Sequence, residues 1–274
     1  MSADQQQTKT RDADDELSKL LDFAVEMARG AGEITTRYFR RAVGTYTKEN
    51  GTLVTDADLE AEKFLRRAVA EKFPADAIIG EEEGERQGTS GRRWIFDPID
   101  GTYSFVHGLP LYGVLIGLEI DDEPALGVIH IPALDETAYA ARGLGCFYNG
   151  TPARVSQTGT LADSLILSTD FHSCERYGFG AAADELQRRA CARRTWGDCY
   201  GYLLVATGRA EVMLDPVMNL WDCAALLPVI EEAGGRFTDW QGRRTIRGGN
   251  AVATNGALYE EVFEIINTHT HQNP

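Results

Sequence analysis

Apolar residues recur at helical spacing along the N-terminal part of the chain. Between Asp14 and about Arg41 they fall on one face of an α-helix, which Gly30 and Gly32 would weaken. The apolar positions on this face are Leu17, Leu20, Leu21, Val25, Ile34 and Tyr38. Residues 1–13 are polar and offer little apolar surface for packing, so they are predicted to form a disordered tail.

A second helix and a series of strands follow. The helix is predicted from about Ala57 to Phe73, because Pro74 cannot continue it. Arg93–Ile99 (RWIFDPI) is a short apolar run, typical of a strand, in which acidic residues appear at the end. Three further strands, separated by turns, are predicted at Val114–Ile120, Ala125–Ile131 and Thr137–Arg142.

Beyond about Val155, short apolar strands alternate with helical stretches. The predicted strands are Leu165–Ser168, Val212–Leu214, Gly235–Thr238 and Ala251–Ala253, and the predicted helices are Ala181–Ala192, Tyr200–Thr207, Asp222–Ala233 and Ala257–Ile266. This alternation is typical of α/β domains, whereas the run of strands before it is typical of α+β domains. We therefore predict an α/β protein with an α+β half at residues 14–155 and an α/β half at residues 156–274, packed as one body.

The charge balance limits the partners that the protein can have. The 274 residues include 42 acidic and 27 basic side chains, which gives a formal charge of −15. Nucleic acids and anionic membranes bind basic patches, so neither is expected as a partner. No apolar run approaches the ~18 residues of a membrane span, and the polar N-terminus does not resemble a signal peptide. We expect a soluble, cytoplasmic protein.

Acidic residues stand beside turn-forming residues in four segments, which are Lys48–Asp58 (KENGTLVTDAD), Ile79–Glu83 (IGEEE), Trp94–Thr102 (WIFDPIDGT) and Leu220–Ala225 (LWDCAA). In the third segment an apolar strand would bury Asp97, and a buried carboxylate is costly unless it is paired or bound to a metal. Asp100 can turn toward the same point. Gly101 and Thr102 then open a predicted helix, whose N-terminus favours a phosphate.

The chemistry of these side chains favours a hard cation. Apart from Cys223, the four segments contain no His or Cys, and carboxylate oxygens favour Mg²⁺ or Mn²⁺ over zinc. Bound cations would also reverse the local charge, so that an acidic pocket can accept an anionic substrate. The five cysteines are odd in number and lack CxxC spacing, which fits neither a zinc site nor a disulfide framework.

Each acid also has a simpler explanation. The glutamates that follow Glu81 are typical of a solvated charge run, which leaves Glu81, beside apolar residues, as the ligand in that segment. Taken alone, Asp222 is better explained as a helix N-cap, and Asp58 as an acid in the first turn of its helix. Asp97 and Asp100 fit a turn as well as a site. The metal-site hypothesis therefore depends on the four segments together.

Together the segments resemble the inositol monophosphatase family of lithium-sensitive, metal-dependent sugar phosphatases. The matching segments are Leu53–Asp58, Ile79–Glu82, Trp94–Thr102 and Trp221–Ala225, with further likenesses at Gly143–Gly150 and Ala206–Ala210. The resemblance runs from about Leu17 to the C-terminus, and the DPIDGT segment followed by the later Trp-Asp pair is quite specific. It implies a layered α/β/α/β/α sandwich that commonly forms a homodimer.

The family pattern also implies a role for each matching residue, with two or three Mg²⁺ ions per site and Mn²⁺ as the alternative ion. The implied ligands are Glu81, Asp97 and the carbonyl of Ile99 for a first ion, Asp97, Asp100 and Asp222 for a second, and Asp58 for a weaker third. Thr102 and Glu81 would orient and deprotonate a water that attacks a small phosphate ester. The N–H groups of Gly101 and Thr102 would bind the phosphate.

Substrate specificity is expected in the segment Arg194–Tyr202 (RTWGDCYGY), which looks like the histidinol-phosphate phosphatase branch of the family. Relatives that act on inositol phosphate usually carry small residues after this glycine, where this chain has Asp198. An acid beside aromatic residues suits a substrate with an ammonium and an imidazole. Asp215 falls where the family places a substrate-contacting acid, and Arg194 is a weaker basic contact. The alternative for Asp198 is a cap on the helix near Tyr200.

Two alternatives in function stay open. Inositol phosphate or a related sugar phosphate would be a different substrate for the same chemistry. A catalytically silent, metal-binding regulatory relative would be a different class of protein, which a phosphate-release assay with and without Mg²⁺ distinguishes from an enzyme.

Overall fold

The computed structural model contains both helices and strands and describes residues 3–48, 51 and 53–270. The helices are α1 (Ala3–Tyr38), α2 (Asp56–Lys72), α3 (Thr102–Val106), α4 (Phe171–Arg176), α5 (Gly180–Arg189), α6 (Asp198–Ala206), α7 (Leu220–Glu232) and α8 (Tyr259–Thr270), with a short 3₁₀ helix at Leu161–Asp163. The strands are β1 (Thr45–Thr47), β2 (Leu53–Thr55), β3 (Ala77–Gly80), β4 (Gly84–Arg86), β5 (Arg92–Asp100), β6 (Gly113–Ile120), β7 (Glu123–Ile131), β8 (Glu136–Ala141), β9 (Gly145–Tyr148), β10 (Thr151–Pro152), β11 (Leu165–Ser168), β12 (Ala192–Arg194), β13 (Val212–Asp215), β14 (Arg236–Thr238) and β15 (Ala251–Thr254).

Two large sheets organise the chain. The first has eight strands in the order β10-β9-β8-β7-β6-β5-β3-β4, and the second has five in the order β12-β11-β13-β15-β14. Neighbours in the first sheet are antiparallel except for β3 and β5, which are parallel. In the second sheet β11 runs parallel to β12 and β13, and the other pairs are antiparallel. A separate antiparallel pair, β1 and β2, precedes α2.

Side chains that alternate along each strand define the layers. Trp94 and Phe96 of β5 point into a core with α1 and α2, whereas Ile95 between them points into the core with α6 and α7. In the smaller sheet, Met213 of β13 joins this central core, and Val212 beside it packs with α4, α5 and α8. The result is five layers, so the predicted α/β/α/β/α sandwich is confirmed.

The central helical layer connects the two sheets. α7 packs across β5–β8 on one side and against β14 on the other, and α6 contacts strands of both sheets. Both helices are almost entirely apolar and buried, because they lie between two apolar surfaces. The predicted division at residue 155 stays a prediction.

The first helix is longer than expected. The predicted tail of residues 1–13 differs from the structure over residues 3–13, which are helical and continue α1. This segment contains neither Gly nor Pro, so the helix has no internal stop signal there. Met1 and Ser2 lie outside the described residues. Gly30 and Gly32 do not interrupt α1 either. None of the described helices is long and apolar enough to cross a membrane.

Candidate metal and substrate site

The parallel pairing of β3 with β5 places Glu81 beside Asp97. Gly80, the last residue of β3, lies opposite Phe96 of β5, and the Glu81 N–H donates to the Phe96 carbonyl at 3.3 Å. The next residues along the two strands are therefore Glu81 and Asp97. Charges at the carboxyl ends of neighbouring parallel strands meet at one edge of the sheet, a common place for a binding site.

A β-bulge brings Asp100 to the same side as Asp97. Asp97 pairs with Leu115 of β6 and Asp100 with Gly113, so β5 contains one more residue than β6 between these pairs. In a regular strand, residues three apart point to opposite faces, and the extra residue removes this opposition. One carboxylate oxygen each from Asp97, Asp100 and Asp222 consequently lies within 4.8 Å of the others.

The chain turns sharply after the bulge. Gly101 has φ +81°, a left-handed conformation that favours glycine, and α3 begins at Thr102 as predicted. Within the turn the Ile99 N–H donates to Asp97 Oδ1 at 3.0 Å, and the Thr102 hydroxyl donates to the Ile99 carbonyl at 3.1 Å. These bonds hold Asp97, Ile99 and Thr102 in one compact loop. The family resemblance implied metal ligands at Asp97 and the Ile99 carbonyl, and a hydroxyl that orients water at Thr102.

Asp58 and Asp222 each occupy the third position of a helix and complete a capping box. The Thr55 N–H donates to Asp58 Oδ2 at 2.8 Å, and the Asn219 N–H donates to Asp222 Oδ2 at 2.6 Å. The capping bond uses only one carboxylate oxygen. In Asp58 the second oxygen, Oδ1, is buried without a hydrogen-bond partner. The N-cap role predicted for Asp222 is wrong, because Asn219 is the N-cap, whereas Asp58 is a first-turn acid as its alternative stated. Neither position excludes a site role, because the capping bond fixes the direction of the free oxygen.

Five acids form what we call the acid cluster (Asp58, Glu81, Asp97, Asp100 and Asp222), in which burial and neighbouring negative charge raise the pKa of the four aspartates. Burial, then repulsion from Glu81, Asp100, Asp222 and Asp58, holds the pKa of Asp97 well above its usual range. Burial raises the pKa of Asp58 and of Asp222 to about 7 each. Burial, followed by the charges of Asp198 and Asp222, raises the pKa of Asp100.

The cluster fits a divalent cation. Lys48, the cation that contacts it within the described chain, lies 2.8 Å from Glu81 and 2.7 Å from Glu82. One ammonium does not balance five carboxylates, and the orphaned Asp58 oxygen adds an unused ligand atom. The donor set is all oxygen, which suits hard cations of the Mg²⁺ class. These residues could therefore hold a divalent metal ion, with Asp97, Asp100 and Asp222 grouped most closely.

A cleft of about 120 Å³ extends from two members of the acid cluster toward the smaller sheet. Its lining residues are Asp100, Thr169, Asp170, Ser173, Asp198, Asp215, Pro216, Val217, Met218 and Asp222. Five of these are aspartates, and the lining contains no basic side chain. Asp170 and Ser173 belong to the start of α4, where Asp170 is the N-cap. The cleft is thus lined by carboxylates from β5, β13, α6, α7 and the start of α4.

Asp198 lies between the acid cluster and the cleft. Its backbone has φ +49°, a left-handed conformation that is strained for a residue other than glycine. Its carboxylate lies against Gly101, where an added Cβ would approach Asp198 Oδ2 to 2.9 Å, and 3.5 Å from the Ser104 hydroxyl. The alternative role as a helix cap is wrong, because α6 begins at Asp198 itself and, among the described residues, the carboxylate accepts no bond from α6. Burial raises the pKa of Asp198 to about 6.

Asp215 and Arg194 have different surroundings. Asp215 is buried at the end of β13 and accepts hydrogen bonds from the Tyr202 hydroxyl at 3.0 Å and the Thr169 N–H at 3.1 Å. Burial raises the pKa of Asp215 to about 7. Arg194 is exposed at the end of β12, does not line the cleft, and places its guanidinium over Trp196 at 5.9 Å. The structure thus brings Asp198 and Asp215 to one cleft but leaves Arg194 outside it.

Sequence reasoning missed three residues of this site, Lys48, Thr169 and Asp170. Lys48 stood in the first acidic segment without an assigned role. Thr169 and Asp170 follow β11 directly, at the edge where β13 delivers Asp215, because the two strands are parallel. Polar residues at the carboxyl end of a parallel strand were the signal that could have identified them.

Known proteins share both the sequence and the fold. The family model described as "Inositol monophosphatase family" matches residues 16–271. A histidinol-phosphatase of Chlorobaculum parvum is 46% identical over 248 residues, covering 90% of this chain and 96% of the relative. A histidinol-phosphatase of Mycobacterium tuberculosis is 38% identical, covering 89% and 96%.

Solved structures extend this similarity to three dimensions. An IMPase from Thermotoga maritima has a TM-score of 0.83 at 30% identity, covering 93% of this chain and 99% of that one. The extragenic suppressor protein suhB from Bartonella henselae has a TM-score of 0.85 at 28% identity, covering 90% and 98%. The chain therefore belongs to the inositol monophosphatase family.

Proposed function

We propose that this protein is a Mg²⁺-dependent histidinol-phosphatase, which hydrolyses L-histidinol phosphate to L-histidinol and phosphate in histidine biosynthesis. The observation that carries the proposal is the continuity between the acid cluster and the aspartate-lined cleft. A cation-balanced cluster suits a phosphate, and an acidic cleft suits the ammonium and imidazole of the alcohol part. The similarity to proteins named histidinol-phosphatase supports the same substrate.

Each acid of the cluster would hold metal as the family pattern implies. Glu81, Asp97 and the Ile99 carbonyl would bind one ion, Asp97, Asp100 and Asp222 a second, and Asp58 a weaker third. When bound, divalent cations neutralise phosphate oxygens, lower the pKa of water and stabilise the leaving alkoxide.

The remaining steps belong to side chains of the loop after β5. Thr102 would orient the attacking water, and Glu81 would accept its proton as general base. The N–H groups of Gly101 and Thr102 would donate to the phosphate at the start of α3. Their fixed positions in the turn lower the reorganisation needed when charge develops during attack.

The alcohol part would lie in the cleft. Asp198 and Asp215 would face the ammonium and the imidazole, and a charged partner would favour the ionised forms of both acids. Arg194 lies outside this cleft, and its contact with the substrate stays a prediction. We also propose a homodimer, which is common in the family, and a cytoplasmic location, as expected from the sequence.

A panel of phosphate esters tests the substrate assignment. Phosphate release is measured with Mg²⁺ from histidinol phosphate, inositol 1-phosphate, fructose 1,6-bisphosphate and adenosine 3′,5′-bisphosphate. We expect kcat/KM for histidinol phosphate to exceed the others by at least about tenfold, because a charged contact contributes more than ~1.4 kcal/mol.

The alternative substrate is inositol 1-phosphate, favoured by relatives named inositol monophosphatase in Solanum lycopersicum at 31% and 32% identity. A higher kcat/KM for inositol 1-phosphate would select it. No release from any ester would instead indicate the catalytically silent regulatory relative.

A further inference from the structure

Thr169 connects the two acids that are proposed to recognise the alcohol part of the substrate. It is the first residue after β11 and lines the cleft. Its hydroxyl accepts a hydrogen bond from the Asp198 N–H at 2.8 Å, and its own N–H donates to Asp215 Oδ1 at 3.1 Å. A single residue therefore contacts both acids, which lie on different elements, α6 and β13.

The bond to Asp198 holds a strained backbone. Asp198 has φ +49°, and a strained conformation persists only where the surrounding contacts determine it. The hydroxyl of Thr169 supplies one such contact at the N–H of the strained residue itself. The backbone of Gly197 supplies a second contact with Thr169. It lies so close that a Cβ added to Gly197 would approach the Thr169 Cα to 2.2 Å. The loop before α6 is thus packed directly onto Thr169.

The same helix start is tied to the acid cluster. The N–H of Cys199 donates to Asp100 Oδ2 at 2.5 Å, one residue after the bond from Asp198 to Thr169. The first two N–H groups of α6 consequently point to different parts of the site. The bond to Asp100 is independent of the Thr169 hydroxyl, so loss of that hydroxyl should displace Asp198 without removing the support of Asp100.

We propose that Thr169 is a positioning residue for substrate specificity, whose hydroxyl directs the Asp198 carboxylate toward the cationic part of the substrate. This inference deepens the proposed function and rests on it. Thr169 acts through both acids, because its hydroxyl accepts the Asp198 N–H and its side chain also makes a hydrogen bond to Asp215. Its effect should therefore appear in the KM of an amine-bearing ester and not in the hydrolysis of an ester that lacks the amine.

The test compares Thr169→Val with Thr169→Ser in the full-length enzyme with Mg²⁺. Valine keeps the shape and the backbone N–H bond to Asp215 but removes the hydroxyl with its bonds to Asp198 and Asp215, whereas serine keeps the hydroxyl. Histidinol phosphate and p-nitrophenyl phosphate are the two substrates. Thr268→Val, in an exposed position of α8, is the matched control, and thermal unfolding checks that each variant folds.

We expect Thr169→Val to raise KM for histidinol phosphate about fivefold to tenfold, the effect of one lost hydrogen bond, with kcat nearly unchanged. Any loss in kcat/KM for p-nitrophenyl phosphate should be several-fold smaller than the loss for histidinol phosphate, and Thr169→Ser should restore the KM.

Three results would overturn the positioning role, namely an unchanged KM for histidinol phosphate, an equal loss on both substrates, or a failure of serine to restore the KM. Assays of the wild-type enzyme distinguish a failure of the positioning role from a failure of the proposed function. A wild-type enzyme that releases phosphate from p-nitrophenyl phosphate but not from histidinol phosphate would refute both. A wild-type enzyme active on histidinol phosphate with an unaffected Thr169→Val variant would refute the positioning role alone.

Discussion

The acid cluster and the cleft are both rich in aspartate, but their side chains are positioned in different ways. In the cluster, Asp97, Asp58 and Asp222 each accept a backbone N–H from a residue two or three positions away. In the cleft, Asp198 and Asp215 depend on Thr169, which is 29 and 46 residues away. Local bonds orient these acids of the cluster within their own short segments before packing brings the segments together, whereas the orientation of the cleft acids itself depends on contacts between distant elements.

This difference predicts separate functions for the two regions, metal binding in the acid cluster and substrate recognition in the cleft. Short, rigid loops suit metal ligands, which must keep a fixed geometry, and packed contacts between elements suit the recognition of a variable alcohol part. Asp100 belongs to both regions, because it stands in the bulge of β5 and also accepts the Cys199 N–H from α6. The experiments below test whether the two regions separate in function.

The largest effect is expected in the acid cluster. Asp97→Asn should lower kcat by at least about a thousandfold, because metal stabilisation of the transition state contributes several kcal/mol. The amide keeps the size of the side chain, so circular dichroism and thermal unfolding should show an intact fold. Near-native turnover of Asp97→Asn would show that the metal assignment is wrong.

The second effect is expected in the thermal stability of the metal-free protein, measured in a chelator as a function of pH. The folded pKa of Asp58 and Asp222 is about 7, above the 3.8 of an unperturbed aspartate, so the folded state binds protons that the unfolded state releases. This contribution to stability is complete below pH 3.8 and is lost as pH rises through 7. The metal-free protein should therefore have a lower Tm at pH 8 than at pH 5.5.

Metal should reverse this trend, because an ion that binds only the folded state stabilises it. Adding Mg²⁺ at pH 8 should raise the Tm by several degrees, and Asp222→Asn should weaken both the pH dependence and the response to Mg²⁺. A Tm that is equal at pH 5.5 and pH 8 in the chelator would contradict the charge repulsion that we assign to the cluster.

A smaller, substrate-selective effect is expected in the cleft. Asp198→Asn removes a charge while keeping the side-chain shape, and should raise KM for histidinol phosphate by about tenfold or more, the effect of a lost charged contact. KM for p-nitrophenyl phosphate should change little. Steady-state kinetics on the two esters measure the split, and equal losses on both would make Asp198 a structural residue or part of the metal region.

The smallest effect is expected at Ser104, the second hydroxyl near Asp198. Its oxygen lies 3.5 Å from Asp198 Oδ2, at the limit of a hydrogen bond, whereas the Thr169 bond measures 2.8 Å. Ser104→Ala should change KM for histidinol phosphate by less than about twofold, since so long a bond contributes little. An effect larger than that of Thr169→Val would reverse the ranking of the two hydroxyls.

Much of the fold could be predicted because long elements carry a clear periodicity. The helices α2 and α7 and the strands β6 and β7 were predicted within two residues of each end. Short strands such as β1, β10 and β12 have two or three residues, too few to establish a pattern, and their existence depends on pairing with neighbours. The start of α1 was wrong because polar helix-forming residues resemble a disordered tail.

The same limit explains which parts of the site could be predicted. The acids of the cluster lie in short segments with local signals. Pro98 and Gly101 indicate a turn, and the N-cap residues Thr55 and Asn219 indicate the start of a helix. Thr169 stands in no such motif, and its relevance comes from strand order and from the packing of the loop before α6. The sequence also contained no signal that Lys48 would lie between Glu81 and Glu82.

The most direct test of the central claim is phosphate release from histidinol phosphate by chelator-treated enzyme, measured over a titration with Mg²⁺. If the acid cluster holds the catalytic cations, the treated enzyme should release no phosphate, and Mg²⁺ should restore full turnover in the wild type but not in Asp97→Asn. Turnover that persists in the chelator and does not respond to Mg²⁺ would show that the acid cluster does not hold catalytic cations.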